Sequence, residues 1–433
     1  MKEILKKIII EIITLEARAI VWRYKPKIIA VTGSVGKTTT KDMIFTALSG
    51  AIDIRKNYKS LNSEIGVPLT IIGCESGWNS FWAWLQIIGL GLVRFVYTKK
   101  YPAWLVLEVG VDHPGDMKKT ASWLKPNVAV FTTFSEVPVH VEFFNDPEHV
   151  MEEKTKLLNY VKDDGLVLLN ADDKNVLKIK HKSHVKTVTY SVIDEGADFH
   201  ASNYQISYDK ETSHPKGVSF KVNYSGKVFP INLSGVLGEQ YIYPVLISLA
   251  IADSIDVSVV DAVANLGNFV PAPGRIRIIE GIKNSVVLDD TYNASPVAVH
   301  KALHILKEIE TTGKRIAVLG DMLELGKYTT PEHKKVGELV RDLKIDILVA
   351  VGLRAESIAE KAIEVGMNKS HVHVFRKSYE ALHLVEELIS ENDVVLVKGS
   401  QGIRMEKIVE AIMKNSDQKS ELLVRQEKEW QAR

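Results

Sequence analysis

Two blocks of short, mainly apolar runs constrain the fold of this chain more than any other feature of its sequence. Val, Ile and Leu dominate the runs, and the polar alternation of a half-exposed strand is missing. Helical patterns lie between them. The runs are KIIAVT (27–32), WLVLEV (104–109), NVAVFT (127–132) and GLVLLN (165–170), then SVVLD (285–289), RIAVL (315–319), DILVAV (346–351) and VVLVK (394–398). We therefore expect an α/β fold with parallel sheets covered on both faces.

The two blocks predict two domains, and 433 residues are too many for one typical core. Between the blocks, residues 184–235 alternate β-branched and aromatic residues with polar ones, which predicts an antiparallel appendage. NFVPAPGR (268–275) carries two prolines and a glycine and is the best boundary. We expect a doubly wound central domain at 26–270 and a Rossmann-like domain at 271–416. A charged tail at 417–433 is expected to fray.

Composition excludes some classes of protein. A net charge of +1 gives no global basic field for nucleic acid. The single cysteine, Cys74, excludes an intramolecular disulfide and fits a reducing compartment, so we expect a cytoplasmic protein. Residues 1–25 are apolar but interrupted by charges, which favours an amphipathic helix over a signal peptide.

A second apolar stretch, FWAWLQIIGLGLVRFVY (81–97), is short for a membrane span and contains Gln86 and Arg94. A helix with one broad apolar face packed on the protein is the simplest interpretation. A surface that meets a membrane or a partner is the second, and a true span the third. The tryptophans of segment 78–104 allow the same choice between core packing and a hydrophobic platform; they are Trp78, Trp82, Trp84 and Trp104.

The stretch VTGSVGKTTT (31–40) follows the first apolar run and predicts a phosphate-binding loop that opens a helix. Its glycines allow backbone N–H groups to converge on phosphate oxygens, its lysine reaches the β- and γ-phosphates, and the next hydroxyl holds Mg²⁺. Val31 stands where the general pattern has a glycine. The candidate nucleotide-binding residues are Gly33, Ser34, Val35, Gly36, Lys37, Thr38 and Thr39.

Three further residues of the first block are candidates for chemistry. Glu108 ends a predicted buried strand at the edge where the loop lies, so it is a candidate Mg²⁺ ligand or a cap on nearby backbone. His140 follows a strand and Lys154 lies in an acidic helix. Taken alone, His140 fits a surface histidine, and Lys154 fits the solvated face of a helix.

Four motifs of the second block lie at strand ends or loop starts: PAPGRIRIIE (271–280), LDDTYNASP (288–296), GDMLELG (320–326) and VKGSQG (397–402). Asp, Asn, Tyr, Arg and Gly at such positions indicate a rim that faces a ligand. None of these motifs alone names a reaction.

In their order along the chain, these motifs resemble the Mur ligase family over about residues 26–415. TGSVGKTTT, LNSEIGVPLT, LEVGVDHPGDM, HVEFF…EEKTKLL, LLNADD, PAPGR, LDDTYNASP, GDMLELG and VKGS carry the resemblance. The family loop also lacks the outer glycine. Members usually have an N-terminal domain that binds a UDP-sugar, which we expect to be missing here. That leaves open how the nucleotide end of a substrate is bound.

The resemblance implies an ATP-dependent amide ligase of cell-wall precursor synthesis. ATP would phosphorylate a carboxylate, and D-Ala-D-Ala or a similar amine would attack the acyl phosphate. It also implies that Thr38 and Glu108 hold one Mg²⁺ and that His140 binds a second. Lys154 would be carbamylated by CO₂, which turns a cation into an anion beside the metal.

From the second domain, the resemblance implies that Arg275, Asp290, Tyr292 and Asn293 face ATP when the domains close. The sequence departs from the family at GEQYIYP (238–244), where Tyr241 could stack on the adenine. Two alternatives to this activity stay open. One is a related ligase for another peptide-bearing precursor, and the other is a nucleotide-binding partner subunit without ligase activity.

Overall fold

The computed structural model describes residues 2–57, 65–77, 80–427 and 430, without the side chains of residues 2–6. Trp78 and part of LNSEIGVPLT lie outside the described residues. The strands are β1 (Lys27–Thr32), β2 (Ile54–Lys56), β3 (Trp104–Glu108), β4 (Val128–Phe131), β5 (Leu166–Asn170), β6 (Lys186–Ser191), β7 (Phe199–Tyr208), β8 (Pro215–Tyr224), β9 (Lys227–Ser234), β10 (Arg277–Glu280), β11 (Val286–Asp290), β12 (Arg315–Gly320), β13 (Ile347–Val351), β14 (Val372–Phe375) and β15 (Val394–Lys398).

The α-helices of the described residues lie before the first strand, between the strands and after the last one. They are α1 (Lys2–Tyr24), α2 (Lys37–Leu48), α3 (Gly66–Ile72), α4 (Phe81–Tyr97), α5 (Asp116–Leu124), α6 (Pro147–Thr155), α7 (Lys174–Leu177), α8 (Ile242–Ser254), α9 (Val259–Leu266), α10 (Pro296–Glu308), α11 (Thr329–Asp342), α12 (Glu356–Glu364), α13 (Ser378–Leu388), α14 (Glu406–Ile412) and α15 (Lys419–Leu422).

The first sheet has the strand order β2-β3-β1-β4-β5-β6-β7-β8-β9 within the described residues. Its pairs are parallel from β2 to β7, and β7-β8-β9 are antiparallel. The predicted doubly wound fold with an antiparallel addition is confirmed. The change of direction comes later than the sequence indicated, because residues 186–191 pair in parallel with β5.

Alternate residues of the central strands enter two different cores, as the period of a strand requires. Ile29 and Val31 of β1 pack with helices α2 and α8 on one face of the sheet. Ile28 and Ala30 pack with α1, α3 and α5 on the other. Both faces of the strands are therefore dry, which explains why the sequence shows apolar runs instead of alternation.

The second sheet has the order β10-β11-β15-β12-β13-β14 within the described residues. Among the strand pairs described for this sheet, only the edge pair β10-β11 is antiparallel. The carboxyl ends of β11, β12 and β15 lie side by side, so their following loops share one edge. This is the Rossmann-like domain that the second block of apolar runs predicted.

Two peripheral helices lie outside the alternation of strands and helices. Residues 2–24 form α1, which buries Ile13, Ala17 and Ile20. Residues 81–97 form α4, but its apolar surface is largely exposed, which differs from the packed helix expected. Among the described residues, no helix is both long enough and apolar enough to cross a membrane.

The described part of the tail from residue 417 packs against the protein and does not fray. Leu423 and Arg425 are buried, and Leu423 joins the core of the second domain. The expectation of a frayed tail is wrong for this stretch, because a few buried side chains anchor a segment whose overall composition is polar.

Candidate active site

The predicted phosphate loop has the geometry that its glycines allow. Gly33 and Gly36 have φ values of +142° and +86°, which disfavour side chains. A Cβ on Gly33 would also lie 2.0 Å from the Thr132 hydroxyl. Gly36 caps the N-terminus of α2, so the positive end of that helix faces the loop.

The end of β4 holds the loop in place. The Ser34 amide donates to the Thr133 carbonyl at 2.6 Å, and the Thr132 hydroxyl donates to the Val35 carbonyl at 2.7 Å. These two hydrogen bonds therefore fix the shape of the loop.

Thr38 and Glu108 meet as the sequence predicted. The Thr38 hydroxyl donates to Glu108 Oε2 at 2.8 Å, and both side chains are buried. The Asn57 side chain accepts from the Glu108 amide at 2.9 Å and fixes the end of β3. A hydroxyl and a carboxylate side by side are hard oxygen donors of the kind that Mg²⁺ prefers, so this pair fits the ion.

Lys37 and Lys154 lie on either side of the loop. Lys37 Nζ donates to the Gly33 carbonyl at 2.9 Å, and Lys154 Nζ donates to the Ser34 hydroxyl at 3.1 Å. Burial, and then the charge of Lys37, holds the pKa of Lys154 well below its ordinary value. Within the described residues, Lys154 forms no ion pair with a carboxylate. Two cations of the protein thus converge on one short loop.

His140 lies between carboxylates of the two domains. Its Nδ1 is 2.8 Å from Glu324 Oε2, and its Nε2 is 3.4 Å from Asp112 Oδ1. The hydrogen bond from His140 lowers the pKa of Glu324. Among the described residues, no group of three or more His, Cys, Asp or Glu side chains is arranged to hold a metal ion. In this arrangement His140 therefore links the domains.

Arg275 extends from the second domain to the phosphate loop. Its guanidinium lies 4.0 Å from the centre of the Tyr292 ring and 3.5 Å from the Thr38 hydroxyl. Stacking on an aromatic face orients a guanidinium while leaving its N–H donors free. A cation of the second domain consequently faces the cradle built by the first.

Asp290 and Asn293 are organised by a lysine that the sequence analysis did not single out. Lys398 Nζ lies 2.6 Å from Asp290 Oδ2 and donates to the Asn293 carbonyl at 2.9 Å. Burial raises the pKa of Asp290, and the charge of Lys398 opposes that rise. The VKGS motif marked the position, but only the fold shows that the ends of β15 and β11 are adjacent.

Tyr241 has a different environment from the one proposed for a stacking residue. Its side chain is 2% exposed, and its hydroxyl donates to the Arg275 carbonyl. Phe269 packs edge-on against its ring. Tyr241 therefore supports the backbone of Arg275 and offers no open face to a base in this arrangement.

One cavity of about 500 Å³ brings these residues together. Every predicted site residue except Gly33 lines it. It also includes residues that the sequence analysis did not assign to the site: Asp112, Lys301, Glu324, Lys398 and Ser400. Residues of both domains contribute, so the site exists only where the domains meet.

The site combines a phosphate-binding loop with an adjacent hydroxyl–carboxylate pair. Both face an arginine and a lysine of a second α/β domain, and this combination defines a class of protein. It is a nucleotide-dependent enzyme that carries out phosphoryl transfer in a cleft between its two domains.

Comparison with known proteins identifies the family. The Mur ligase middle domain matches residues 31–252, and the Mur ligase, glutamate ligase domain matches residues 274–401. The chain belongs to the Mur ligase family, which confirms the resemblance drawn from its motifs and the expectation of a ligase.

Two similar curated proteins are UDP-N-acetylmuramoyl-tripeptide--D-alanyl-D-alanine ligases. That of Bacillus subtilis is 27% identical over 92% of this chain and 78% of its own length. That of Escherichia coli is 28% identical over 90% of this chain and 77% of its own length.

Solved structures show the same fold. MurF from Acinetobacter baumannii superimposes with a TM-score of 0.77 at 24% identity, over 93% of this chain and 80% of that one. MurF from Thermotoga maritima, solved in complex with ADP, gives a TM-score of 0.74 at 23% identity, over 93% and 83% of the two chains.

Proposed function

We propose that this chain is an ATP-dependent amide ligase that activates a carboxylate as an acyl phosphate and joins it to D-Ala-D-Ala or a similar amine. The observation that carries the proposal is the cleft in which the phosphate loop and the Thr38–Glu108 pair face Arg275 and Lys398. The names of the relatives from B. subtilis and E. coli support a UDP-linked muramoyl tripeptide as the carboxylate.

The reaction needs two balanced steps. A carboxylate oxygen attacks the γ-phosphorus of ATP, and ADP leaves. The amine nitrogen then attacks the acyl carbon, loses a proton, and displaces phosphate that carries one oxygen of the carboxylate. Neither step requires a nucleophile from the protein, so catalysis consists of positioning and charge stabilisation.

The chain supplies these functions from its own residues. Lys37 and the loop amides hold the β- and γ-phosphates, and Arg275 meets the transferred group from the opposite side. Thr38 and Glu108 would hold Mg²⁺, which supplies neutralisation of phosphate charge when bound. Asp290, Tyr292 and Asn293 orient the nucleotide from the second domain. His140 and Glu324 keep the domains together, which keeps water from the acyl phosphate.

Lys154 is proposed to act as its carbamate. The lysine is buried beside Lys37, where two ammonium groups repel each other, and it faces Ser34 of the loop. For carbamylation the ammonium group first loses a proton, and the neutral amine nitrogen then bonds to the carbon of CO₂ and releases a second proton, so a cation becomes an anion. The family resemblance implies that this anion and His140 would together hold a second Mg²⁺.

A Lys154→Ala variant tests this role. It is expected to lose activity and to regain part of it when short-chain carboxylates such as acetate or propionate are added, because they replace the missing anion. Lys118→Ala, which alters an exposed lysine of α5, serves as the control. A fully active Lys154→Ala variant would exclude the carbamate.

The proposed substrates also indicate where the enzyme works. ATP and nucleotide-linked precursors are cytoplasmic compounds, and the single cysteine, Cys74, fits a reducing compartment. We therefore infer that the reaction takes place in the cytoplasm.

Phosphate release tests the activity directly. The purified protein, given ATP, Mg²⁺, UDP-N-acetylmuramoyl-tripeptide and D-Ala-D-Ala, is expected to release phosphate only when carboxylate and amine are both present. A panel of other carboxylates and amines then defines specificity. Phosphate release that ignores the amine would contradict the ligase proposal, and a Lys37→Ala variant provides the inactive control.

A further inference from the structure

Helix α4 exposes an unusual amount of apolar surface. Only Ile87 and Gly91 of its 17 residues are buried, and they fix one side of the helix to the protein. The other half of its circumference carries exposed apolar side chains: Phe81, Trp82, Leu85, Leu90, Leu92, Val93, Val96 and Tyr97. Contiguous apolar patches of this kind mark an interaction surface.

Helix α1 extends this surface. Ile8, Leu15 and Trp22 are exposed and recur every seven residues, so they form one row along the helix. The side of α1 that meets α4 is set by Glu16, beside Gly91, and by Arg23, over the Phe95 ring. Leu15 and Trp22 come directly before Glu16 and Arg23 in the sequence. Their row is therefore rotated by about 100° around α1 from the side that meets α4, and it flanks α4.

A group of lysines lies at one end of the two helices. The Tyr24 hydroxyl oxygen lies 2.8 Å from the carbonyl oxygens of both Arg94 and Thr98 and can donate to either, which holds the C-terminal ends of α1 and α4 together. Four lysines share a shallow groove there: Lys25, Lys27, Lys99 and Lys100. All four are exposed, and Asp53 is 4.0 Å from Lys100.

We propose that the exposed faces of α1 and α4, together with this lysine groove, dock the protein peripherally on a bilayer containing anionic phospholipid. The apolar side chains enter the boundary of the acyl chains, and the lysines meet the headgroups. The proposal is independent of the ligase activity.

Charge and residue type favour a lipid surface over a second copy of this chain. Residues 80–100 contain no Asp or Glu, so in a symmetric dimer α4 and the two lysines that follow it would find no acidic partner in the same segment of the second copy. Trp82 and Tyr97 stand at opposite ends of α4, and about three quarters of each side chain is exposed. Trp and Tyr at the ends of an apolar helix are typical of membrane interfaces.

Docking in this way leaves the active site open. Lys27 begins β1 and Trp104 begins β3, so the lysine groove lies at the amino edge of the first sheet. The phosphate loop follows β1 at the carboxyl edge, roughly 16 Å away along the strand. A nucleotide-linked substrate can therefore reach the cleft while the protein rests on the membrane.

Sedimentation with vesicles tests the proposal, in the absence of nucleotide. The full chain is expected to bind vesicles of phosphatidylcholine with 30% phosphatidylglycerol at least about tenfold more tightly than pure phosphatidylcholine, because each lysine near an anionic surface contributes roughly fivefold. A Trp82→Ser/Leu92→Ser/Val96→Ser variant is expected to lose binding by about a hundredfold or more. Lys99→Ser/Lys100→Ser, which leaves Lys25 and Lys27 in place, is expected to weaken the preference for anionic lipid without abolishing binding.

The matched control removes three exposed apolar side chains elsewhere, in an Ile193→Ser/Val260→Ser/Leu353→Ser variant, and is expected to bind as the unmodified chain does. Circular dichroism and melting temperature show that each variant is folded. Absence of binding to every vesicle would overturn the proposal, as would unchanged binding by the α4 variant. A dimer that forms through α4 without binding lipid, detected by analytical ultracentrifugation, would overturn it in favour of a second copy.

Discussion

Glu16 is a carboxylate buried where α1 packs against α4. Its side chain is 8% exposed, and neither carboxylate oxygen has a hydrogen-bond partner in the described part of the chain. It packs so closely on α4 that a Cβ at Gly91 would lie 2.2 Å from its Oε2. Burial raises the pKa of Glu16 from its ordinary 4.5 to about 7.

This raised pKa predicts a pH-dependent stability. The folded state holds the proton more tightly than the unfolded state, so stability falls as pH rises from about 4.5 to about 7 and is then constant. A Glu16→Gln variant is uncharged throughout. The melting temperature of Glu16→Gln minus that of the unmodified chain is the quantity to compare. This difference is expected to be roughly 1–4 °C larger at pH 8 than at pH 4.5.

Glu11→Gln provides the control, because Glu11 is exposed on the same helix. Thermal unfolding of both variants at the two pH values gives the comparison. An equal effect of Glu16→Gln at both pH values would show that Glu16 is not a buried, protonated group.

Site residues could be predicted to the extent that their role depends on local sequence. The loop from Gly33 to Thr39 needs only a strand, two glycines and a helix start, all visible in the sequence. Asp112, Glu324 and Lys398 were not assigned, because their roles depend on which strand ends and loops become neighbours. The strand order that brings β15 beside β11 is not encoded in any single motif.

At the level of elements, the tail shows what composition does not reveal. Arg425 is buried and donates to the carbonyls of Thr291 and Tyr292, and it lies 2.9 Å from Glu406. It therefore fixes the backbone on which Tyr292 holds Arg275. The apolar runs of the strands were readily predicted, whereas one anchoring arginine in a polar segment was not.

Loss of this anchor is expected to lower both stability and kcat. Arg425→Ala removes one of the two arginines that pair with the buried Glu406, Arg404 being the other, and takes away the donor of two backbone carbonyls, which costs roughly 1–3 kcal/mol in free energy of unfolding. Arg425→Lys restores charge but not the fork that binds two carbonyls, so stability should recover more than kcat does. Denaturant unfolding and initial rates measure the two effects.

Arg341→Ala is the control, because Arg341 is exposed and pairs only with its neighbour Asp342 on the surface. A stable Arg425→Lys variant with full kcat would show that the tail does not position the site.

At the scale of the whole molecule, the contact between His140 and Glu324 joins the two domains beside the cleft. The hydrogen bond from His140 lowers the pKa of Glu324, so this carboxylate is charged at neutral pH and the contact persists. The sequence predicted both domains and their order. It could not predict this contact, because Glu324 comes from a loop whose position depends on domain closure.

Removal of the contact is expected to open the molecule. In small-angle X-ray scattering, Glu324→Ala should raise the radius of gyration above the about 22 Å expected for a compact chain of this length. Glu360→Ala, at an exposed position of α12, should leave it unchanged. An unchanged radius for Glu324→Ala would mean that other contacts keep the cleft closed.

The proposed function depends on one step, the activation of a carboxylate by transfer of the γ-phosphoryl group of ATP. The most direct measurement uses a UDP-N-acetylmuramoyl-tripeptide labelled with ¹⁸O in its terminal carboxylate, together with ATP, Mg²⁺ and D-Ala-D-Ala, and analyses the products by mass spectrometry. An acyl phosphate requires one ¹⁸O in the phosphate released with each amide formed. Unlabelled phosphate, or the release of pyrophosphate and AMP, would contradict the account.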